Sequence, residues 1–377
     1  MKAKTFIILL VFAGILAAVS LVMLRGEKEI KGNRSMGERL FAALPVNDIA
    51  SVSIISPEST VNIVKGDKVW EVKERSGFPA DFETLSDLIL KISKLKIGRT
   101  FDASAETLKR MKLKSPEDAD ADTNEKGVKI IFKNKDEKEI ESIILGSERQ
   151  SKSGSRGQYL TTKGGNTVFL VDKSFRFMKK TPPEWLSKDI LNIKAEAIES
   201  VSLFADTSDK PVYRLRRPEK SKAAKLSNIP DGRMASVSKI DQVFEAIGPL
   251  AISDVSSGSD KAGQKMRLEY QLYDGKVVTI YPVHKKTGDD AYSLQITVAF
   301  NPEYKPTTSA EADKGDKKET KDTSKTPETV KKEAEDLNNL LSDWTFSVEK
   351  WQFQSFITTV EGLLEEKKDK EKTASKS

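Results

Sequence analysis

Two stretches of the chain decide the fold, because they carry the same short sequence motif, which we call the repeated phrase. "VFLVDKSFRFMKK" occupies residues 168–180, and "TFSVEKWQFQSFI" occupies residues 345–357. Each has a phenylalanine, then a valine, an acidic residue and a lysine, with two aromatic residues shortly after. One phrase written twice in a single chain predicts two structural units of the same kind.

The segment before the first phrase has the pattern of a strand, a hairpin, a helix and further strands. "IASVSII" (49–55) alternates in polarity, and "STVNIVKGDKVWEVKE" (59–74) has two β-rich runs around Gly66-Asp67. "DFETLSDLILKISKLKI" (81–97) then has apolar residues at helical spacing. That apolar stripe comprises Phe82, Leu85, Leu88, Ile89, Ile92 and Leu95. After several short strand-like runs, "TPPEWLSKDIL" (181–191) closes this part of the chain as a turn and short helix.

The same scheme then begins again. "AIESVSLF" (197–204) echoes "DIASVSII" (48–55), and "DGRMASVSKIDQVFEAIGPLAI" (231–252) supplies a helix at the same relative place. Its apolar face comprises Val237, Ile240, Val243, Phe244 and Ile247. A hairpin around residues 273–275 and the second phrase complete the series, which indicates a tandem duplication. Chance similarity between two β-rich segments is the alternative.

The two phrases lie farther apart than the two first strands, and a polar run accounts for the excess. Residues 303–336 are rich in Lys, Asp, Glu, Thr and Pro and almost free of large apolar side chains. Such a run cannot bury enough surface to fold alone, so the sequence predicts a disordered insertion. The charged C-terminus, residues 363–377, is predicted to be disordered for the same reason.

The predicted fold class is α+β. It consists of two tandem similar units, each an antiparallel β-sheet with one main helix packed on it, after a single N-terminal transmembrane helix. The predicted organisation is an anchor at 1–25, a stalk with a short helix at 26–45, a first unit at 46–196, a second unit at 197–362 with the insertion at 303–336, and a disordered tail at 363–377.

The predicted anchor runs from Phe6 to Leu24 without a charged side chain. About 19 residues at about 1.5 Å each span roughly 28 Å, close to the hydrocarbon thickness of a bilayer. The apolar run continues past the small residues at 17–20, which favours an uncleaved anchor over a cleaved signal peptide. A buried core helix is the third interpretation. Because the chain has no second predicted span, we expect the body to lie outside the cytoplasmic membrane.

Composition excludes several classes of function. The 377 residues carry a net charge of +6, and charges of both signs alternate along the chain, so a nucleic-acid partner is not expected. The chain has no cysteine, which rules out disulfides, thiolate metal sites and a cysteine nucleophile.

Two polar features raise the question of a metal site. His284 is the only histidine and ends a predicted strand, and no residues at metal-ligand spacing accompany it. Residues 118–127 ("DADADTNEKG") place acidic residues at alternate positions like a calcium loop, but Thr123 and Lys129 stand where glycine and glutamate would be required. A surface histidine and a polar loop are the favoured interpretations, and no metal or cofactor is expected.

Aromatic and basic residues raise the question of a binding surface. "RLRR" (214–217) beside Tyr213 would suit an anionic polymer or lipid, although outward residues of an edge strand explain it more simply. Four tryptophans occupy strand or turn positions, where packing in the core or at its rim is favoured over stacking on a sugar. They are Trp70, Trp185, Trp344 and Trp351.

An ordered series of short motifs resembles a known bacterial family. The series is "FPAD" (78–81), "LKRMKLKSPED" (108–118), "ILGSE" (144–148), "GQYL" (157–160), "TVFLVD" (167–172) and "PEWLSKDIL" (183–191). It resembles the family filed as domain of unknown function 4340, over residues 45–200 and, as a degenerate second copy, over 197–360. The second copy has Pro-Asp at 230–231 in place of Pro-Ala-Asp.

The resemblance implies a location and a neighbourhood, and it implies no catalytic residues. Members of the family are often membrane-anchored and encoded beside ABC transporter genes of the gliding type. We therefore expect a periplasmic or external accessory protein, single-pass in the bacterial inner membrane, with ABC transporter subunits as partners and with a cleft between its units for a ligand. The only site residues assigned are Phe6 and Leu24, which are the first and last residues of the predicted anchor. An envelope hydrolase acting on polysaccharide or peptide, and a structural tether of the envelope, are the alternatives.

Overall fold

The computed structural model describes residues 36–149, 157–205, 208–220, 222–227, 229–258, 266–287, 289–304 and 326–366. The predicted anchor between Phe6 and Leu24 lies outside these residues. Among the described residues, no helix combines the length and the apolar character that crossing a membrane requires. The described chain is mostly antiparallel β-sheet with a few helices, as the predicted α+β class requires.

The first unit is built on a nine-stranded sheet. Its strands are β1 (Ser51–Ile55), β2 (Thr60–Lys65), β3 (Trp70–Val72), β4 (Phe78–Pro79), β5 (Ile97–Asp102), β6 (Val128–Lys133), β7 (Glu139–Glu148), β8 (Gln158–Thr162) and β9 (Thr167–Val171). They lie in the order β4-β3-β2-β1-β6-β7-β8-β9-β5. Alternate residues face the core, so Val52 and Ile54 of β1 are fully buried beside their partners Ile63 and Val61 on β2.

Two α-helices, α1 (Phe82–Ser93) and α2 (Ala105–Arg110), belong to the first unit. Helix α1 begins where the Asp81 carboxylate accepts the Thr84 N–H at 3.0 Å, which satisfies a backbone donor that the first turn leaves free. The buried stripe of α1 runs from Leu85 to Ile92. The prediction that Phe82 belongs to this stripe is wrong, because its side chain is 60% exposed at the first position of the helix.

The remaining strands follow in the second half of the chain. They are β10 (Asp189–Leu191), β11 (Ile198–Ala205), β12 (Tyr213–Arg216), β13 (Lys225–Leu226), β14 (Arg233–Ala235), β15 (Leu250–Ala251), β16 (Asp254–Ser257), β17 (Met266–Leu272), β18 (Lys276–Thr287), β19 (Asp289–Phe300), β20 (Trp344–Ser347) and β21 (Leu364–Glu366). Eight of them form a sheet in the order β13-β12-β11-β17-β18-β19-β20-β16, while β10 pairs with β15 and β14 with β21.

The two large sheets have corresponding strand orders. With β4 set aside, each sheet places the third, second and first strands of its unit beside four later strands in sequence. Each sheet then ends on a strand from the segment after the main helix, which is β5 in the first unit and β16, preceded by the short β15, in the second. The two repeated phrases supply corresponding strands, since Phe169 lies in β9 and Phe346 in β20. Both phenylalanines are buried.

Three α-helices belong to the second unit: α3 (Val237–Glu245), α4 (Pro327–Leu341) and α5 (Lys350–Ser355). The prediction of a disordered insertion at 303–336 is wrong for residues 327–336, which lie in α4. The helix forms because Val330, Ala334 and Leu341 bury one face. In addition, the Asn338 side chain accepts the N–H of Val298 at 3.0 Å, beyond the point where β20 stops pairing with β19. Three small or medium apolar residues suffice here because the sheet edge supplies the rest of the contact.

Both ends of the described chain are more ordered than the sequence predicts. The predicted stalk is wrong for residues 36–41, since Leu40 is fully buried and its N–H donates to the Leu95 carbonyl at 2.8 Å. The predicted disordered tail is wrong for residues 363–366. Leu363 is fully buried, and β21 pairs with β14. Burial of one or two large apolar side chains, Leu40 with Phe41 at one end and Leu363 at the other, fastens each segment to the core.

A packed junction joins the two units. The Arg75 guanidinium donates to both carboxylate oxygens of Asp254, at 2.5 and 2.8 Å. Beside this ion pair, the buried Phe78 ring meets Trp344 edge-to-face at 5.1 Å between ring centroids and lies 6.1 Å from Phe346. The predicted cleft between the units is therefore filled at these residues.

Candidate functional site

A pocket of about 540 Å³ lies in the first unit, where the ends of β6, β7 and β8 meet the segment after β9. We call it the cationic pocket. Its lining residues are Ser56, Pro57, Glu58, Lys112, Thr123, Asn124, Lys126, Gly127, Val128, Leu145, Gly146, Glu148, Gln158, Phe175, Arg176, Met178 and Lys180. Its volume lies in the range of about 300–1,000 Å³ that is usual for small-ligand sites.

Four motifs that are far apart in the sequence meet at this pocket. Lys112 comes from "LKRMKLKSPED", Gly146 and Glu148 from "ILGSE", and Gln158 from "GQYL". Arg176 and its neighbours come from the first repeated phrase. The sheet brings them together because β7, β8 and β9 are adjacent, so that their ends and the following loop share one edge.

Two glycines let the backbone close the floor of the pocket. A Cβ atom at Gly127 would lie 2.5 Å from the Leu145 carbonyl oxygen and 2.6 Å from that of Lys112. A Cβ atom at Gly146 would collide with the carbonyl oxygen of Met111. Because only glycine fits such close backbone contacts, the segment that bears Lys112 packs directly on β6 and β7.

Gln158 fixes one wall of the pocket. Its side chain is only 7% exposed; Nε2 donates to the Gly146 carbonyl at 2.8 Å and Oε1 accepts the Phe175 N–H at 2.7 Å. Nearby, the Glu148 carboxylate accepts the hydroxyl hydrogen of Ser174. These bonds hold the loop after β9 against β7 and β8, so the pocket is formed without a ligand.

The side chains around the pocket carry an excess of positive charge. Its cations are Lys112, Lys126, Arg176 and Lys180, and its carboxylates are Glu58 and Glu148. Within the part of the chain that the structure describes, none of these cations forms an ion pair with a carboxylate. Lysine and arginine side chains that lack a carboxylate partner can bind an anionic group, through charge and through several N–H donors.

A comparison with known families covers this region. A family model described as Domain of unknown function (DUF4340) matches residues 70–269, more than half of the 377 residues. The chain belongs to the DUF4340 family. The match begins at Trp70 in β3 and ends at Glu269 in β17, so the DUF4340 region contains the cationic pocket apart from residues 56–58 and continues into the second sheet. No curated protein and no solved structure matches the chain.

His284 lies in β18, within a small cluster on the long hairpin of the second unit. Its ring stacks on Tyr292 at 4.9 Å between centroids, and Nε2 lies 3.2 Å from the Asp290 carboxylate. The hydrogen bond from His284 holds the pKa of Asp290 below its ordinary value. Among the described residues, no group of three or more His, Cys, Asp or Glu side chains is placed to hold a metal ion.

In the acidic loop at 118–127, carboxylate oxygens have partners within the protein. Asp118 accepts the Asp120 N–H at 3.0 Å and lies 3.5 Å from the Lys114 ammonium. The Asp122 side chain caps the short 3-10 helix Thr123–Glu125. The carboxylates thus stabilise the turn that carries Thr123, a lining residue of the cationic pocket.

The basic run at 214–217 lies on and just after β12, which is flanked by β11 and β13 and is not an edge strand. Arg216 pairs with the buried Glu199 at 3.0 Å. Arg217 is buried, with its guanidinium 4.7 Å from the centroid of the Phe244 ring. Arg214 also donates to the Ser202 hydroxyl at 3.0 Å, so all three arginines of the predicted basic surface make contacts inside the unit.

The four tryptophans have different environments. Trp185 is buried, and Trp70 and Trp344 are half-buried. Trp351 is 70% exposed, so the prediction of core or rim packing does not describe it.

Sequence reasoning missed the cationic pocket, because none of its motifs is specific alone. The available signal was Gly127 next to Lys126, and Gly146 inside a strand-like run. Only the order of strands in the sheet shows that these segments meet.

Proposed function

We propose that this DUF4340 protein is a membrane-tethered, extracytoplasmic binding protein that works with an ABC-type transport or envelope complex and holds an anionic ligand in the cationic pocket. The observation that carries the ligand class is the convergence of four separate motifs on one pocket with a positive excess. The apolar run from Phe6 to Leu24 supports single-pass tethering in the inner membrane, with the body outside the cytoplasm.

We also infer that the two units arose by tandem duplication. The corresponding strand orders and the repeated phrase on β9 and β20 support this origin. The two units carry different connections at the same sheet positions. In particular, β8 and β9 are joined by a turn at 163–166, whereas β19 and β20 are separated by residues 301–343, which include α4. Divergence of the connections leaves the cationic pocket as a feature of the first unit.

The ligand is expected to be small, with a compact anionic group such as a phosphate or carboxylate. Arg176 offers a planar fork of donors, and Lys112 and Lys126 offer point charges. Glu148 keeps its negative charge while it accepts the Ser174 hydroxyl, so the attraction for an anion comes from the excess of four cations over two carboxylates. Since Arg176 and Lys112 are exposed, they can reorient around a ligand at small energetic cost.

The test uses the full chain, purified from its native membranes in mild detergent. Recovered partner proteins are identified by mass spectrometry, and bound small molecules by native mass spectrometry. The charge-reversed double variant Lys112→Glu/Arg176→Glu is compared with Lys138→Glu, an exposed lysine just before β7, outside the cationic pocket. We expect the wild type and Lys138→Glu to recover transporter subunits and to carry the same anionic molecule, and the double variant to lose that molecule.

Two outcomes contradict the proposal separately. Recovery of no transporter subunit with any form removes the association with a transport complex. An anionic molecule that the double variant retains at the wild-type level removes the cationic pocket as its site.

A further inference from the structure

The second unit carries a groove of about 840 Å³ between α3 and α5, with the exposed Trp351 on its rim. We call it the tryptophan groove. Its lining includes Lys239, Gln242 and Glu245 from α3, and Gln354, Ser355 and Thr358 from α5 and the turn after it. It shares no lining residue with the cationic pocket. Tryptophan is enriched at binding surfaces, because its ring offers a large apolar area together with a polar N–H.

The platform beneath Trp351 is rigid. The next residue, Gln352, is only 8% exposed, and its Nε2 donates to the Ala251 carbonyl at 3.1 Å. Phe353 and Phe356 are buried in the core on either side of the turn that ends α5. The helix is therefore fastened from below, and its backbone presents Trp351 at a fixed place beside the groove.

The opposite wall is also fixed by backbone packing. Gly248 approaches the Ile193 carbonyl so closely that a Cβ atom at this position would collide with it. Ile193 in turn donates its N–H to the Ile247 carbonyl at 3.0 Å. The end of α3 is thus locked to the segment that links the two units, and the width of the groove is set by the fold.

The chemistry of the lining favours an uncharged polar ligand with one flat apolar face. Gln242, Gln354, Ser355 and Thr358 offer neutral donors and acceptors. The only charged lining residues, Lys239 and Glu245, have opposite signs, so the groove has no net charge. An indole has a flat apolar face that suits the C–H face of a sugar ring, and amides and hydroxyls suit its hydroxyl groups.

We propose that the tryptophan groove binds an uncharged, linear saccharide strand, with Trp351 as its stacking platform. A proline-rich peptide is the competing ligand, but such peptides dock in grooves lined by several aromatic rings, and Trp351 is the single aromatic residue of this lining. The repeated phrase has Ser174 where the second copy has Trp351, so this site belongs to the second unit alone. The inference is independent of the anionic ligand proposed for the first unit.

The test measures binding of chitohexaose, an uncharged linear glycan, to the full chain in detergent by titration calorimetry. We expect saturable binding, and a loss of affinity of at least about tenfold for Trp351→Ala, since a central aromatic contact dominates such sites. Trp351→Phe retains a flat ring and should keep most of the affinity. Phe82→Ala is the matched control, because it removes another exposed aromatic ring far along the chain in the first unit.

Circular dichroism should show the same fold for all four proteins, because both substituted rings are largely exposed. The proposal is overturned if chitohexaose at about 1 mM does not bind the wild type. It is equally overturned if Trp351→Ala binds as tightly as Phe82→Ala, or if decaproline binds in the groove and chitohexaose does not.

Discussion

The two units share a strand order and differ in what their connections build. In the first unit, the sheet edge at the ends of β7 and β8 is closed by glycine contacts and surrounded by cations. In the second unit, the corresponding strands β18 and β19 extend to twelve residues each, and α4 covers the free edge of β19. A sheet therefore tolerates large changes in its loops, because the alternate strand residues that face its core are unaffected by them.

The main helices of the two units, α1 and α3, also differ in how they begin. The Asp81 side chain caps α1 by accepting the Thr84 N–H, whereas the side chain of Ser236, at the same place before α3, accepts no N–H from its helix. Helix α3 starts instead from a backbone anchor, since the Ser236 N–H donates to the Leu363 carbonyl at 2.9 Å. The C-terminal segment therefore helps to fix the start of α3, as the Asp81 side chain fixes the start of α1.

The largest expected effect comes from breaking the junction that makes two units one body. Phe78→Ala removes a ring that is 2% exposed and packs on Trp344 and Phe346. We expect a loss of about 3–5 kcal/mol in the free energy of unfolding, measured by denaturant titration of the full chain in detergent. The two units should then unfold in separate steps. Phe82→Ala, which removes an exposed ring, should change stability by less than about 0.5 kcal/mol, and an equal loss in both variants would contradict the junction's role.

A smaller effect tests the helix that only the second unit has. Asn338→Ala leaves the N–H of Val298 without its side-chain partner, at an otherwise unpaired strand edge. We expect a loss of about 1–3 kcal/mol, because an unsatisfied buried donor pays its desolvation penalty. Hydrogen exchange should accelerate at Val298. The neighbouring variant Asn339→Ala, at an exposed position of the same helix, is the control, and accelerated exchange in both would show that α4 does not protect this edge.

The smallest expected effect is on stability, and it compares how α1 and α3 begin. Burial acts to raise the pKa of Asp81, but hydrogen bonds from Thr84 and Lys179 outweigh it and hold the pKa below its ordinary value of 3.8. The stabilisation from ionised Asp81 is therefore fully present above pH 3.8 and is lost as the pH falls through the lower folded value. Asp81→Ala should destabilise by about 1 kcal/mol at neutral pH.

The matched variant Ser236→Ala should destabilise the protein less, with no comparable dependence on acid. Thermal melts of both variants between neutral pH and pH 3 measure the difference. A constant deficit of Asp81→Ala down to the lowest pH would contradict ionisation as the source of the cap's strength.

Much of the fold could be predicted because it rests on local periodicity. The hairpin around Gly66, the buried stripe from Leu85 to Ile92 and the strands of both phrases follow from alternation and helical spacing. The errors at residues 36–41, 327–336 and 363–366 share one cause. Each segment adjoins or lies in a long polar run and is ordered by one or a few apolar side chains, such as Leu40 or Leu363, that reach a core built elsewhere.

The sequence by itself determined that the chain is rich in β-strands with a few helices among them, since strand and helix periods depend on residues a few positions apart. Only the tertiary structure decided that Arg75 meets Asp254, that four motifs surround one cationic pocket, and that Trp351 stands exposed beside a groove. These features depend on which strands become neighbours in a sheet. That pairing is set by long-range burial and hydrogen bonding, which no short stretch of residues encodes.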